Sequence, residues 1–493
     1  MVVLLTCGIL FIRYLMFAQA QNVVPRFESA PCDFAPPDGY EPECGHLIVP
    51  EDRTNPASPT IQLGVAIYRS TSPTRKPDPI VYLIGGPGGS ALENQSVSFN
   101  ERYRPFVDSR DYIIFDQRGA QHSTPSLDCD GLVPQYYDWA AQGMNNEELA
   151  NAQAEALLAC EQDLLNAGIN VAAYQSAENA ADVADLRLAL GYDEWNLFGV
   201  SYGARLALTV MRDHPEGVRS VVLDSVYAPQ VDLFMEYGTN TAAAFEHLFA
   251  SCAADEACAA AYPTLRDDFY FIVQTLNNEP LLITATHPIS HMDFSVYVTG
   301  EMMVEAVFGM MYRRDDIPYI PYLIDDTMNY GEELLTIAAE NFVDTPFAVS
   351  EGLYYSVSCS EETPFTDWDT AYANLEAMPE AIRVTTYLPF IRQVCDGWTI
   401  HQPDAIENEP VVSDIPTLVL NGDFDPITPP RWAEQTASTL SSAHFYLFPG
   451  TGHGVVRSTD CGANIMQAFL DDPQSPPDTS CIDNLGEPEW VLP

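Results

Sequence analysis

The stretch "FGVSYGAR", residues 198 to 205, constrains the fold more than any other part of the sequence. A helix-length segment that ends at Gly191 precedes it, the strand-like run "EWNLF" leads into it, and "ARLALTVMRDH" continues as a helix. The serine therefore lies in a sharp turn between a strand and a helix, which is the setting in which G-x-S-x-G forms a nucleophile elbow. Side chains at Gly199 and Gly203 would collide with the neighbouring strand or helix. The pattern predicts that Ser201 is a nucleophile, and the alternative is a small residue in a tight turn.

Short apolar runs alternate with helix-length segments through the first half of the chain. The runs are "PIVYLIGG", "DYIIFDQRG", "EWNLFGVS" and "VRSVVLDS". This alternation is typical of buried parallel strands connected by helices. Ahead of them, "HLIVP" and "IQLGVAIYR" flank a turn rich in Pro, Asn and Ser and predict an antiparallel hairpin at a sheet edge. We therefore expect an α/β fold with a mostly parallel central sheet.

A serine nucleophile needs a base, and the base needs an acid that orients it. His453 follows the apolar run "AHFYLF" and lies between two glycines in "GTGHG", on a loop from which an imidazole can reach over a site. In the chain order Ser, acid, His the acid comes before it, and "NGDFDP" offers Asp423 and Asp425 after another strand. Pro426 restricts the residue before it to extended conformations. We therefore prefer Asp425 as the acid, with Asp423 capping the turn.

A loop rich in glycine, "YLIGGPGGSA", follows an earlier strand. Such a loop offers backbone N–H groups that can stabilise an oxyanion. Pro87 has no N–H, so the expected donors are the N–H of Gly86 and the N–H of Tyr202, the residue after the nucleophile. A phosphate-binding loop would need G-x-G-x-x-G or a terminal G-K-[ST], and the stretch has neither.

Residues 1–20 form an apolar stretch that ends in Ala18-Gln19-Ala20, a pattern typical of a signal peptide. The alternative is a membrane anchor. Arg13 interrupts the stretch, however, and an arginine in mid-membrane costs about 2.5 to 3.5 kcal/mol on insertion scales. We therefore expect a secreted, periplasmic or extracellular protein that has no stable membrane association once the leader is removed.

The cysteine count supports export independently. Removal of Cys7 with the leader leaves ten of the 11 cysteines, an even number that suits an oxidising compartment. Spacing alone does not fix connectivity. Pairing by proximity gives five disulfides: Cys32 with Cys44, Cys129 with Cys160, Cys252 with Cys258, Cys359 with Cys395, and Cys461 with Cys481. A metal site is disfavoured, because there is no C-x-x-C, and His287 and His291 in "HPISH" lack the glutamate of H-E-x-x-H. We expect neither a metal nor a cofactor.

Acidic residues dominate the composition. The 70 Asp and Glu against 21 Lys and Arg give a formal net charge of −49. Such a surface is a poor partner for nucleic acid and for anionic membranes. Because salt screens the self-repulsion of the chain, the composition fits a saline or an acidic habitat.

Five motifs in order resemble the secreted prolyl and tripeptidyl aminopeptidase family of α/β-hydrolases: "GGPGGSA", "DQRGAQHS", "GVSYGAR", "GDFDPITPP" and "GTGHG". The resemblance covers most of the mature chain, and "ASCAADEACAAAYPTL" is similar to the family's cap segment. It implies an α/β-hydrolase fold and a serine exopeptidase that acts on peptide substrates with free N-termini through Ser201, Asp425 and His453. One position departs from the pattern, since many relatives have a histidine before "GGPGG" and this chain has Ile84.

The separation between Ser201 and Asp425 is longer than the remaining strands and helices of a core require. We therefore expect an N-terminal core part at 21–228, a helical cap at 229–408 and a C-terminal core part at 409–493.

Two adjacent glutamates, Glu361 and Glu362, lie within the predicted cap in "YYSVSCSEETPF". An exopeptidase needs an anion at a fixed distance from the nucleophile to bind the substrate ammonium, and the resemblance implies acidic cap residues in this role. In so acidic a chain, adjacent glutamates are more often solvated surface. Between the two, we prefer Glu361 by a small margin.

Two other functional classes share this scaffold. A carboxylic ester hydrolase would use the same triad, because acyl transfer to serine serves both bonds, and hydrolysis of amides against plain esters separates the two. A non-enzymatic binding module is disfavoured, because all three triad residues are present.

Overall fold

The computed structural model describes residues 24–98, 104–286, 291–344, 349–385 and 387–493. The predicted leader, residues 1–20, and His287 lie outside the described residues.

A nine-stranded sheet forms the centre of the molecule, with strand order β1-β2-β3-β5-β4-β6-β7-β10-β11. Its strands are β1 (Arg26–Ser29), β2 (Glu43–Pro50), β3 (Thr60–Tyr68), β4 (Ile80–Leu83), β5 (Tyr112–Phe115), β6 (Trp195–Ser201), β7 (Val218–Val226), β10 (Thr417–Gly422) and β11 (Ala443–Phe448). The remaining strands, β8 (Leu281–Thr286) and β9 (Asp293–Val298), form a separate antiparallel hairpin. All pairings from β5 to β11 across the sheet are parallel, whereas β1, β2, β3 and β5 pair antiparallel. The predicted α/β fold with a mostly parallel sheet and an antiparallel edge is confirmed.

Helices cover both faces of the sheet. They are α1 (Ala91–Ser98), α2 (Arg104–Ser109), α3 (Val133–Gln142), α4 (Asn146–Asn166), α5 (Ser176–Leu190), α6 (Tyr202–Asp213), α16 (Pro430–Thr439), α17 (Val455–Ser458) and α18 (Asp460–Asp471), with α7 to α15 in the region between β7 and β10. Neighbouring strand residues face opposite sides of the sheet, so Leu197 belongs to an apolar cluster with residues of α5, α6 and α16, and Phe198 to one with residues of α17 and α18. Burial on both faces explains why the parallel strands are continuous apolar runs in the sequence.

The segment that we expect to be the cap, 229–408, lies between β7 and β10. Its described helices are α7 (Leu233–Ala254), α8 (Glu256–Ala261), α9 (Leu265–Asn278), α10 (Gly300–Met310), α11 (Ile320–Met328), α12 (Glu333–Asp344), α13 (Glu351–Glu361), α14 (Trp368–Ala377) and α15 (Tyr387–Gly397). They share one apolar cluster with residues of α3 and α4, among them Ala140 and Leu157. Helices α3 and α4, which the sequence assigned to the N-terminal core part, therefore pack with the cap segment.

Five disulfides staple the structure, and they join the pairs that proximity in the sequence favours. The bonds are Cys32–Cys44, Cys129–Cys160, Cys252–Cys258, Cys359–Cys395 and Cys461–Cys481. In the described ranges, none of the helices has the length and apolar character needed to cross a membrane.

Candidate active site

Ser201 ends β6, and α6 begins at the next residue. Its backbone has φ 60° and ψ −124°, a strained conformation that residues other than glycine rarely adopt. Strain of this kind is typical of the serine in a nucleophile elbow. A Cβ on Gly203 would lie 1.9 Å from the carbonyl oxygen of Leu83, and one on Gly199 would lie 2.2 Å from that of Gly203. The tight crossing of strand and helix that the sequence pattern predicts is therefore present, and it requires glycine at both positions.

Asp425 and His453 form a buried pair on the loops that follow β10 and β11. Oδ2 of Asp425 accepts a hydrogen bond from Nδ1 of His453 at 2.9 Å and another from Oγ1 of Thr428 at 2.7 Å. The N–H groups of Ile427 and Thr428 donate to Oδ1 at 3.1 and 2.9 Å. Burial opposes the charge of Asp425, but the His453 imidazole and the hydrogen bonds outweigh it and hold the pKa of the carboxyl below its ordinary value. The ionised carboxylate fixes the imidazole with its proton on Nδ1, which leaves Nε2 to receive a proton.

Asp423 has different surroundings. Its Oδ1 accepts a hydrogen bond from the N–H of Thr451 at 3.3 Å, and its Oδ2 lies 4.0 Å from Nε2 of His247. Burial, reinforced by the negative charge of Glu487, raises the pKa of Asp423 to about 7. Of the two aspartates, only Asp425 contacts His453.

Ser201 and His453 open onto the same cavity, which has a volume of about 600 Å³. Gly86, Thr428 and Glu362 also contribute to its wall. Much of the remaining surface is aromatic or aliphatic: Tyr82, Tyr227, Leu233, Tyr312, Tyr354 and Tyr387. Within the part of the chain that the structure describes, the hydrogen bonds of the imidazole go to Asp425 and Thr428 and none reaches Ser201. Contacts of this kind often tighten only when substrate binds.

The glycine-rich loop after β4 lines part of this cavity. Gly86 has φ 121°, which a side chain would not tolerate, and a Cβ there would lie 2.8 Å from the backbone nitrogen of Gly89. The N–H of Tyr202 is the first of α6, and the first N–H groups of a helix have no partner within the helix. The Tyr202 hydroxyl forms a hydrogen bond with the hydroxyl of Ser176 at 2.8 Å, so its side chain is engaged elsewhere.

The "DQRG" stretch after β5 holds this glycine-rich loop in place. Asp116 is fully buried and accepts hydrogen bonds from Oγ of Ser90 at 2.8 Å and from the N–H of Leu92 at 3.0 Å. The Nε2 amide of Gln117 donates to the carbonyl of Ile84 at 2.9 Å. Two consecutive side chains thus fix both ends of the loop.

Two backbone contacts tie the cap segment to the histidine loop and to the glycine-rich loop. The N–H of Ser350 donates to the carbonyl of Gly88 at 2.8 Å, and its hydroxyl donates to the carbonyl of Gly119 at 2.9 Å. The N–H of His453 donates to the carbonyl of Tyr312 at 2.9 Å, and the two rings lie 4.9 Å apart. We call these two contacts the cap seam.

Glu361 and Glu362 are buried, with 2% and 4% exposure, so the interpretation of this pair as solvated surface is wrong. Glu361 accepts hydrogen bonds from the N–H and the hydroxyl of Ser176 at 2.6 and 2.7 Å and lies 3.3 Å from Nε of Arg205. It stabilises the N-terminus of α5, where a negative charge is favourable, and does not line the cavity. The small preference for Glu361 as the ammonium ligand is not supported by this placement.

Glu362, by contrast, lines the cavity. Its Oε1 lies 2.7 Å from an η nitrogen of Arg205, and Tyr227 hydrogen-bonds to the carboxylate. The Arg205 guanidinium carbon lies 5.0 Å from the centre of the Tyr227 ring. Burial raises the pKa of Glu362 to about 7, although Arg205 and the Tyr227 hydroxyl act in the opposite direction.

Several residues of the site were not predicted from the sequence, among them Arg205, Tyr312, Ser350 and Thr428. Thr428 has a local signal, because an aspartate commonly accepts hydrogen bonds from residues two and three positions later in a turn. Arg205 is an arginine with 2% exposure on the helix of the nucleophile, and burial is not visible in the sequence. Tyr312 and Ser350 act through contacts between distant segments.

A parallel sheet with helices on both faces, a serine at an elbow after β6 and an acid–histidine pair after β10 and β11 define an α/β-hydrolase. Residues 78–257 match the family model described as alpha/beta hydrolase fold, and residues 384–481 match the one described as TAP-like protein. The chain thus belongs to the α/β-hydrolases and carries a TAP-like C-terminal region.

Relatives of this chain include peptidases. The serine protease Hip1 of Mycobacterium tuberculosis is 26% identical over 464 residues, which cover 88% of this chain and 86% of that protein. The tripeptidyl aminopeptidase of Streptomyces lividans is 31% identical over 198 residues, which cover 38% of this chain and 36% of that protein. Among solved structures, a thermophilic esterase from Thermogutta terrifontis aligns with a TM-score of 0.39 and 14% identity, over 87% of this chain and 99% of that one. The chain is therefore an α/β-fold hydrolase with serine-protease and aminopeptidase relatives.

Proposed function

We propose that this protein is a secreted serine exopeptidase that removes one or a few residues from free peptide N-termini. The observation that carries the proposal is the shared cavity, in which Ser201, the buried His453–Asp425 pair and the acidic side chain of Glu362 meet. The names of the two peptidase relatives support the class of reaction.

In the proposed mechanism, Nε2 of His453 takes the hydroxyl proton of Ser201 while Oγ attacks the scissile carbonyl. The N–H groups of Gly86 and Tyr202 donate to the oxyanion that forms. His453 then gives its proton to the leaving amine, which departs as the shortened peptide. Water, deprotonated by the same imidazole, hydrolyses the acyl-enzyme and releases the N-terminal fragment. Asp425 holds the imidazole orientation and stabilises its charged form throughout.

Glu362 supplies the preference for a free N-terminus in this proposal. Arg205 brings one positive charge to the two carboxylates of Glu361 and Glu362, so the ionised cluster keeps one net negative charge. Glu361 is fully engaged with Ser176, which leaves Glu362 as the carboxylate that faces the cavity. A substrate ammonium would complete the charge balance of this buried group. A peptide whose amine is blocked would leave the carboxylate unpaired, which disfavours its binding.

Secretion is part of the proposal. The five disulfides support it, because such bonds persist in oxidising compartments. The sequence pattern of residues 1–20 supports it as well.

The test is a substrate panel in which each peptide amide is offered with a free N-terminus and with an acetylated one, next to simple acyl esters. We expect the protein to cleave peptides that have a free amine. The kcat/KM for each acetylated peptide should be at least tenfold lower than that for its free-amine form. Equal rates on both forms would contradict the exopeptidase proposal. Turnover of esters alone would instead favour the carboxylic ester hydrolase.

A further inference from the structure

Strand β7 contains an irregularity directly beside the nucleophile. Val200 of β6 pairs with Asp224, but the next residue, Ser201, pairs with Val226. Ser225 is therefore the extra residue of a β-bulge, and its φ of 56° is unusual for a side chain other than glycine. Bulges of this kind redirect side chains and are frequent next to active sites.

The bulge directs two consecutive side chains at the loop that carries the histidine. Oδ1 and Oδ2 of Asp224 accept hydrogen bonds from the N–H groups of Val455 and Val456 at 2.8 and 2.9 Å. Oγ of Ser225 accepts one from the N–H of Gly454 at 2.7 Å. Asp224 and Ser225 of β7 thus accept the hydrogen bonds of all three N–H groups that follow His453.

Neither residue touches the cavity, and both are fully buried. The three hydrogen bonds satisfy three backbone donors at the start of α17, and they fix the backbone next to His453 rather than a side chain. Because the same dipeptide is paired to β6 at the nucleophile, it fixes the histidine loop relative to the serine.

We propose that Asp224 and Ser225 are positioning residues that set the reach of the His453 imidazole to Ser201. The inference rests on the proposed catalytic roles of the serine and the histidine, and not on the peptide specificity. The strained φ of Ser225 is retained because the bulge places its hydroxyl under Gly454, a position that regular pairing would not provide.

The test compares Asp224→Asn, Ser225→Ala and Ser225→Gly with the parent protein. The asparagine keeps the shape but presents an amide N–H to one of the two backbone donors, and both serine variants remove the acceptor for Gly454. Glu51→Gln is the matched control, because Glu51 is also buried and accepts a backbone N–H, that of Asn170 at 3.2 Å, away from the site.

Two readouts separate positioning from simple stability. The first is the rate at which diisopropyl fluorophosphate modifies Ser201, which needs the serine and histidine but no peptide recognition. The second is kcat and KM, with the pH profile of kcat/KM. We expect Asp224→Asn to slow both the modification and kcat by about 10²-fold, the loss that a misplacement near 1 Å produces, with KM within about twofold.

The inference would be overturned if the modification rate and kcat of Asp224→Asn and of both Ser225 variants stayed within twofold of the parent. It would also be overturned if Glu51→Gln lost as much of the modification rate and of kcat as those variants do. If Asp224→Asn does not fold, the two Ser225 variants decide, with an expected loss of tenfold or more in each. A parent protein that is modified by the fluorophosphate but cleaves no peptide would contradict the exopeptidase proposal and leave this test intact.

Discussion

Asp423 and Asp425 are separated by one residue, yet only Asp425 contacts His453, with 2.9 Å between Oδ2 and Nδ1. The other carboxylate lies beside Thr451 and His247. We expect Asp425→Asn to lower kcat by about 10⁴-fold, because the amide favours the wrong tautomer of the histidine. Asp423→Asn should change kcat by only a few fold. Steady-state kinetics on a free-amine peptide amide measure both, and a larger loss in Asp423→Asn would transfer the role of acid to that residue.

Replacement of Ser201 by alanine should abolish turnover, with a loss on the order of 10⁶ in kcat. The fold should persist, since alanine keeps the Cβ and loses only a hydroxyl at the cavity wall. His453→Ala should be nearly as severe, because the members of such a triad act as a unit. Circular dichroism and thermal unfolding serve as controls for structure. Activity near the parental level in Ser201→Ala would exclude it as the nucleophile.

Glu362→Gln should raise KM for peptides with a free amine by about tenfold or more, at roughly 1.4 kcal/mol per decade, and leave ester turnover almost unchanged. Glu361→Gln should mainly lower the melting temperature, because its carboxylate serves Ser176 and α5. In the parent protein, the pKa of Glu362 near 7 means that this KM should fall as pH rises from 5 to 7. Equal effects of Glu362→Gln on peptides and esters would reject it as the ammonium ligand.

Stability should be greater at pH 5 than at pH 8. Burial raises the pKa of Glu351, Glu362 and Asp423 to about 7 in the folded protein, whereas the unfolded values are about 4.3 and 3.9. Between these limits the folded state binds more protons, so stability declines as pH rises through the folded pKa values. The pKa of Asp425 is lowered, and its contribution is lost only in stronger acid. Urea midpoints at intervals between pH 4.5 and 8 check this, and a midpoint that rises toward pH 8 would contradict it.

The ten cysteines from Cys32 to Cys481 should contain no free thiol, since all ten are in disulfides. A thiol reagent added to the denatured, unreduced protein should therefore give almost no labelling. Replacing Cys359 and Cys395 together by serine should cost about 3 to 4 kcal/mol, the loop-closure value for a sequence separation of 36. Stoichiometric labelling of protein prepared without residues 1–20, and so without Cys7, would contradict the five-bond scheme.

The elements that sequence predicts best here are those with a local cause. Ser201 was found because the elbow needs glycine on both sides of it within five residues. His453 and Asp425 follow strands whose apolar runs are continuous in the sequence, and Pro426 distinguishes the two aspartates. The glycine-rich loop was visible for the same reason.

The features that sequence missed depend on segments that are far apart in the chain. Glu361 and Glu362 are identical in type, and only the position of Arg205 and Ser176 relative to α13 decides which of them faces the cavity. Helices α3 and α4 pack with the cap segment through apolar contacts. Their sequence shows that they have apolar residues but not which part of the molecule covers them. The bulge at Ser225 has no glycine or other local sequence signal that would predict it.

The cap seam has a consequence for the traffic of substrate and product. Tyr312 holds the backbone of His453, and Ser350 holds that of Gly88, so lifting the cap at this line would detach the base and the glycine-rich loop at once. Substrate and product that pass without disturbing these two contacts would therefore enter and leave on a side of the cavity away from the seam.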